Sequence, residues 1–397
     1  MRIIFLNRFY WPDEPATAQL LADLAEALAA AGHDVTVIAS HPGDPRVPPR
    51  ETHRGVHIER VASSRGSHSG LARKAADFAT FHLGAMARLF RLVRRGETII
   101  TLTDPPLIGV GAWPVAAFRG ARLFHWVQDI YPELAMELAG QRWLAVLRPL
   151  RNFAWRRADG CVTLGTDMAA VLAAAGVATT KLTVIPNWPP AGLTPQPLSA
   201  AAALRASWRL QDKFVVAYSG NLGRVHDLDP VLALAAALRG DERIALVFIG
   251  GGAQRLALEA EARRCHLDNV HFHPSQPRAQ LAASLALGDV HLVTLRPGCE
   301  RYVFPSKLYG IAAVGRPVIV IGPRDSELAR LVTTHDFGRA FDRAEIAALA
   351  QEIRALAAAP AECARRGAVA AEFARTAGGA PGAAARWQAL LAAEQAC

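Results

Sequence analysis

Arg2–Ser40 reads RIIFLNRFYWPDEPATAQLLADLAEALAAAGHDVTVIAS, and the fold follows from it. Ile3, Ile4, Phe5 and Leu6 make a short apolar run suited to a buried strand. From Thr17 to Ala31 the pattern turns helical, with Leu20, Leu21, Leu24 and Leu28 on one face. Gly32 serves as a C-cap, His33 and Asp34 lead out of the helix, and Val35–Ala39 is a second apolar strand. Strand, helix and strand in that order argue for a parallel sheet joined by a crossover helix.

The alternation continues outward. Thr98–Leu102, Leu123–Val127, Gly160–Leu164 and Leu182–Ile185 are further buried strands, mostly separated by helical segments. Pro186–Pro197 carries five prolines (186, 189, 190, 195 and 197) and reads as an interdomain connection. Strands then resume at Phe214–Ser219, Ala245–Ile249, Val270–Phe272, Val290–Leu295 and Pro317–Ile321, with helices at Pro230–Leu238 and Arg255–Cys265. Gly378–Gly382 is a second, flexible break before a last helix, Ala383–Ala393, that carries Trp387. The expected fold class is α/β: two doubly wound Rossmann-like domains, 1–188 and 189–378, facing across a cleft, followed by a C-terminal helical segment, 379–397. Open α/β sheets bind ligands at the carboxyl ends of their strands.

Composition narrows the classes. Of 397 residues 51% are hydrophobic and 20% charged, which excludes global disorder. Lys and Arg number 44 against 35 Asp and Glu, and the net charge of +9 favours an anionic partner: a phosphorylated substrate, a phospholipid surface or nucleic acid. No zinc finger or RNA-binding signature accompanies the charge, so nucleic acid is not expected. The five cysteines are scattered without a CxxC, consistent with a reducing cytoplasm. The apolar start is cut short by Asn7 and Arg8, where a signal peptide needs about 7–15 apolar residues. The stretch Leu107–Phe118 is well under the roughly 18 residues of a membrane span. Two basic amphipathic segments suit an anionic lipid face as well as a solvated one. One has an apolar stripe of Leu71, Ala75, Phe78, Ala85, Leu89 and Leu92, with Arg88, Arg91 and Arg95 on another face. The other holds Arg142, Arg148, Arg151, Arg156 and Arg157 with Trp143 and Trp155.

Local motifs point to phosphate chemistry. The first strand–helix loop, Asn7–Pro15, has no glycine, which argues against a dinucleotide fingerprint. In Val303–Gly310, VFPSKLYG, Pro305 and Ser306 open a helix, with Ser306 as plausible N-cap and Lys307 in the first turn, an arrangement suited to an anion. In Ser219–Arg224, SGNLGR, Gly220 and Gly223 around Asn221 let backbone approach a ligand that Arg224 could clamp. Gly250-Gly251-Gly252 is either a turn beside a ligand or a plain tight turn. Asp227-Leu228-Asp229 reads as an acidic helix start rather than a metal motif, and no metal or other cofactor is expected. Asp129, after a strand, either faces ligand or caps a helix; for Asp325, Ser326 and Glu327 capping is the default.

Together FYWPDEPATAQLLADLAEALAAAGHDVTVI, VQDIYPELAMELA, VIPNW, YSGNLGR, FIGGGAQRLALEAEARRCHLDNVHFH and PSKLYGIAAVGRPVI resemble bacterial glycosyltransferases of family 4 with the GT-B fold. The similarity is greatest to those building O-antigen, capsule and colanic-acid-type polysaccharides. The resemblance implies a retaining, metal-independent transfer from a nucleotide-diphosphate-sugar to a polyprenyl-diphosphate-linked glycan, at the cytoplasmic face of the inner membrane. It implies that Arg224 and Lys307 hold the diphosphate, with Gly220, Asn221, Pro305, Ser306 and Leu308 beside it. Gly250, Gly251, Ser275 and Gln276 would lie near the nucleoside, and Asp325, Ser326 and Glu327 near ribose or sugar. Trp11, Glu14 and Asp129 would meet the acceptor, and the last helix would pack back on the first domain. The family's E-x7-E pair falls on Tyr302 and Gly310 here, with Glu300 a possible substitute, and the lysine expected after Arg224 is Asp229. A nucleotide-sugar 2-epimerase and a non-catalytic nucleotide-sugar-binding subunit are the alternatives.

Overall fold

The structure is a computed structural model describing residues 1–13, 15–62, 71–377 and 379–393, with backbone alone over 71–75. Glu14 and Gly378 therefore lie outside the described residues, as do the side chains of Leu71 and Ala75. Two compact units emerge: 1–187 with 302–304 and 380–397, and 188–301 with 305–379.

In the first unit the strands are β1 (Arg2–Leu6), β2 (Asp34–Ser40), β3 (Arg50–His53), β4 (Val56–Val61), β5 (Thr98–Thr101), β6 (Arg122–Val127), β7 (Gly160–Thr163) and β8 (Leu182–Val184). They form one sheet in the order β3-β4-β2-β1-β5-β6-β7-β8, parallel throughout except where β3 runs against β4. Ile3 lies opposite Val35 on one side and Thr98 on the other, so β1 is central. Its residues Ile3–Leu6 are wholly buried, as a strand covered by helices on both faces must be. The hairpin β3–β4 was not anticipated, because its residues are largely charged. Its signal is nevertheless present: Val56, Ile58 and Arg60 alternate inward, and Arg54-Gly55 turns the chain with φ of 47° and 82°. Arg60 is buried because its guanidinium spans Pro48 O, Trp11 O and Glu51.

The second unit contains β9 (Phe214–Ser219), β10 (Ile244–Ile249), β11 (Val270–His273), β12 (Val290–Thr294), β13 (Val318–Ile321) and β14 (Gly338–Phe341). They are ordered β11-β10-β9-β12-β13-β14, all parallel. Alternate residues serve opposite faces: Val216, Tyr218, Leu246 and Phe248 join one apolar cluster, while Val215, Ala217, Ala245 and Val247 join the other. The short β14, also unanticipated, approaches β13 so closely that a Cβ on Gly338 would sit 1.9 Å from Val318 O.

A helix spans Gly379–Ala393, so Gly379, Pro381 and Gly382 lie in its first turn and not in a flexible break. Trp387 on this helix is fully buried in the first unit, its ring edge-on to Trp126 at 5.4 Å. Among the described residues no helix is long and apolar enough to cross a membrane. Removing so large a buried ring leaves a void that neighbours fill poorly, so Trp387→Ala is expected to destabilise the first unit by about 3–5 kcal/mol. Urea unfolding followed by far-ultraviolet circular dichroism measures this; an unchanged midpoint would mean the helix is not part of that core.

Candidate active site

The parallel sheet of the second unit gathers the phosphate-type motifs at its carboxyl edge. Gly220–Arg224 follows β9, Gly250–Gly252 follows β10, Ser275 and Gln276 follow β11, and Asp325–Glu327 follow β13. Lys307 opens a helix, Lys307–Ala313, on the connection from β12 to β13.

Two of these loops are locked backbone to backbone. Gly220 N donates to Ile249 O at 2.9 Å, and Leu222 N donates to Gly251 O at 2.7 Å. A Cβ on Gly250 would lie 2.1 Å from Gly220 O, so the glycine is required for loop contact whether or not a ligand is near. Gln254 donates to Gly223 O and His226 O, and Arg255 to Gly250 O and His273 O. Arg255 thus ties the glycine turn to the end of β11, while Gln254 braces the Gly220–Arg224 loop.

Against this platform stands Lys307. Its side chain is half-buried, and its Nζ donates to the Tyr218 hydroxyl at 2.5 Å while lying 3.8 Å from the centre of the same ring. The Tyr218 hydroxyl in turn donates to Asn221 O at 3.1 Å. Gly220 admits this lysine: a Cβ there would meet Lys307 Cε at 3.3 Å. Among the described residues no carboxylate pairs with Lys307. Loss of water pushes its pKa well below the ordinary lysine value. His226, buried edge-on to Tyr218, donates its Nδ1–H to Thr294 O (2.7 Å) and is held neutral by burial and by Lys307, its pKa lowered to about 3. Tyr218 and His226 escaped sequence reasoning, although a tyrosine ending an aliphatic strand was a usable signal.

The remaining residues expected on the donor side divide. Arg224 is exposed and, among the described residues, forms no ion pair. Ser306 occupies the position before the helix but has helical backbone, and its hydroxyl makes no capping bond, contrary to expectation. Pro305 is buried, and Leu308 is fully buried in the core, so its side chain cannot meet a ligand. Ser326 caps the helix Glu327–Thr334 through Ala329 N and also donates to Pro323 O, which commits its hydroxyl to structure. Asp325 is exposed, its carbonyl taken by Arg330. Gln276 folds back on Pro274 O at 3.0 Å beside exposed Ser275. Asp227 is buried against Arg343 at 3.0 Å while Asp229 starts the helix Asp229–Ala237. No three His, Cys, Asp or Glu among the described residues are grouped to hold a metal.

In the first unit Asp129 lies two residues beyond β6, its N–H donating to Thr103 Oγ1 at 3.1 Å and its backbone bridged to Val303. Burial and the neighbouring Asp104 raise its pKa to about 7. Arg8, paired with Asp104 at 3.0 Å and Asp77 at 2.8 Å, neutralises the flank of this cluster. A cavity of about 30 Å³ adjoins Asp129, lined also by Thr103, His125, Tyr131 and Trp155. That is room for a water beside the carboxyl. Trp11 is exposed and stacks flat on His53 at 4.4 Å.

Two parallel-sheet α/β units with loops converging at their carboxyl edges are the GT-B architecture. Residues 17–188 match the model of the glycosyl transferase 4-like domain, and residues 201–373 that of glycosyl transferases group 1. The two matched domains mark the chain as a glycosyltransferase. WcaI of Escherichia coli K12, whose name assigns it to colanic acid biosynthesis as a glycosyl transferase, is 28% identical over 84% of this chain and 86% of its own. A GDP-mannose-dependent alpha-mannosyltransferase of Mycobacterium tuberculosis is 25% identical over 85% and 83%. Anabaena HepE in complex with UDP-glucose superposes with a TM-score of 0.77 at 16% identity, covering 99% of this chain and 100% of that one.

The raised pKa of Asp129 has a signed consequence. Between the unfolded value of 3.8 and the folded value of about 7 the native state keeps a proton that the unfolded chain has lost, so stability falls as pH rises through that window. Asp129→Asn removes the buried anion. Its stability gain over the parent is expected to be larger at pH 8 than at pH 5 by about 1 kcal/mol or more, measured by urea unfolding. An equal difference at both pH values would refute the shift.

Proposed function

We propose that the chain is a retaining glycosyltransferase of cell-surface polysaccharide biosynthesis. It transfers a sugar from a nucleotide-diphosphate-sugar to a glycan carried on a polyprenyl diphosphate, without a metal. The observation that carries this reading is Lys307, a half-buried ammonium with an aromatic seat and, among the described residues, no carboxylate. A cation so desolvated is satisfied by an incoming anion. WcaI supports the polysaccharide context by its name, and HepE and the mannosyltransferase support a nucleotide-sugar donor while differing in the base, UDP against GDP.

In the proposed transfer the bond from the anomeric carbon to the leaving diphosphate oxygen breaks. The acceptor oxygen bonds to the same carbon on the same face, and its proton passes to the departing diphosphate oxygen. The protein's contribution is positioning and stabilisation of the charge that grows on the leaving group, which Lys307 and Arg224 supply. Asp129, titrating near neutrality, accepts the hydrogen bond of the acceptor hydroxyl and orients it.

Either Lys307→Ala or Arg224→Ala is expected to lower turnover at least about 100-fold, the usual cost of losing one preorganised charge contact. Near-normal rates in both would refute their role. The donor base is read by calorimetry with UDP-, GDP-, dTDP- and CDP-sugars. Affinity for the nucleoside diphosphate is expected to weaken as pH rises through the lowered pKa of Lys307, below the ordinary lysine range, because only protonated Lys307 attracts the anion. Lys307→Met should flatten that dependence. Binding without turnover in the presence of lipid-linked glycan would favour a non-catalytic subunit instead.

A further inference from the structure

Of the 44 basic side chains only four are lysines: Lys74, Lys181, Lys213 and Lys307. Lys181 donates to Ala158 O at 2.7 Å and Lys213 to Glu242 O. An arginine keeps its charge at any working pH, whereas a lysine can release it. Lys307 therefore depends on its surroundings for its charge, and its one hydrogen-bonded side chain among the described residues is Tyr218.

Tyr218 stands next to last in β9, its ring 1% exposed between His226 and Phe248. Because Asn221 O can only accept, the Tyr218 hydroxyl spends its proton there and turns a lone pair toward Lys307 Nζ. An oxygen that accepts from an amine favours the ammonium over the neutral form. The other titratable groups that feel this amine are His226, after β9, and His291, on β12. Burial holds both neutral, with Lys307 adding to the effect and Arg316 contributing at His291. Each has a ring N–H committed to a carbonyl, His226 to Thr294 O and His291 to Leu285 O at 2.8 Å. Neither imidazole answers the charge. The Tyr218 ring face lies under the amine too, but a phenylalanine would supply that face equally. What the tyrosine adds is its oxygen.

We propose that Tyr218 is a positioning residue for the transfer: its hydroxyl, aimed by Asn221 O, holds the Lys307 amine in place and keeps it charged for the donor's diphosphate. This rests on the diphosphate role proposed above for Lys307. Burial drives the proton off the lysine and the hydroxyl opposes that loss. Tyr218→Phe keeps the ring and removes the oxygen alone, so Lys307 gives up its proton at lower pH.

The test is calorimetry with UDP-glucose and GDP-mannose between about pH 5 and 8.5, where the diphosphate of a nucleotide-sugar does not titrate. His226 and His291, lowered to about 3 and about 4, stay neutral across that range. Tyr218→Phe is expected to approach the parent's affinity at the acid end. At the alkaline end it should bind about 10-fold or more weakly, the usual effect of losing a hydrogen bond to a charged group. Lys307→Met should bind weakly with little pH dependence, and adding Tyr218→Phe to it should cost nothing further. A Tyr218→Phe profile matching the parent's, or one weakened equally at every pH, would overturn the positioning role and leave that of Lys307 standing. A parent whose affinity ignores pH, or a Lys307→Met variant that binds like the parent, would overturn both.

Discussion

An ammonium without a carboxylate is costly to keep out of water, and the carboxyl edge of the second sheet is arranged around one. Lys307 is held by the face and hydroxyl of Tyr218, Tyr218 by the carbonyl of Asn221, and the Asn221 loop by the glycine turn after β10. Remove the glycine at 250 and the two loops cannot approach; remove the glycine at 220 and the lysine stem is crowded. The amine is thereby fixed in place before any ligand arrives, which is the condition under which an electrostatic contact lowers a barrier rather than merely adding affinity.

The first unit handles charge in the opposite manner. Its arginines are mostly answered: Arg8 by Asp77 and Asp104, Arg60 by Glu51 and two carbonyls, Arg151 by Glu133. What stands out there is a carboxyl, Asp129, whose burial beside Asp104 leaves it poised between two protonation states near neutral pH. One unit thus carries an under-neutralised cation and the other an under-stabilised anion.

The strands with continuous apolar runs were legible in the sequence because parallel strands bury both faces, and β1, β2, β9 and β10 show it directly. Strands β3 and β14 were not, since Arg50–His53 and Gly338–Phe341 owe their conformation to pairing with neighbours and carry little apolar signal. Lys307 could be singled out from a helix-start pattern, but the reason it matters lay in tertiary structure: Tyr218 is 89 residues away in sequence. Tertiary packing likewise decides which side of Leu71–Leu92 meets protein. Helical periodicity identifies an apolar stripe without saying whether protein or solvent lies against it, and here Ala85 and Leu89 face protein while Leu83 does not.

Trp387 has a consequence for how the chain is made. It completes the core around Trp126, yet the ribosome delivers it only after the whole second unit has been synthesised. At about 5–20 residues per second, the intervening stretch keeps the first unit waiting for tens of seconds with Trp126 lacking its partner. During translation the second unit, whose residues are all present before the last helix emerges, is able to finish first although it is begun later. The order of folding need not follow the order of synthesis, and the nascent first unit is the species that chaperones would be expected to meet.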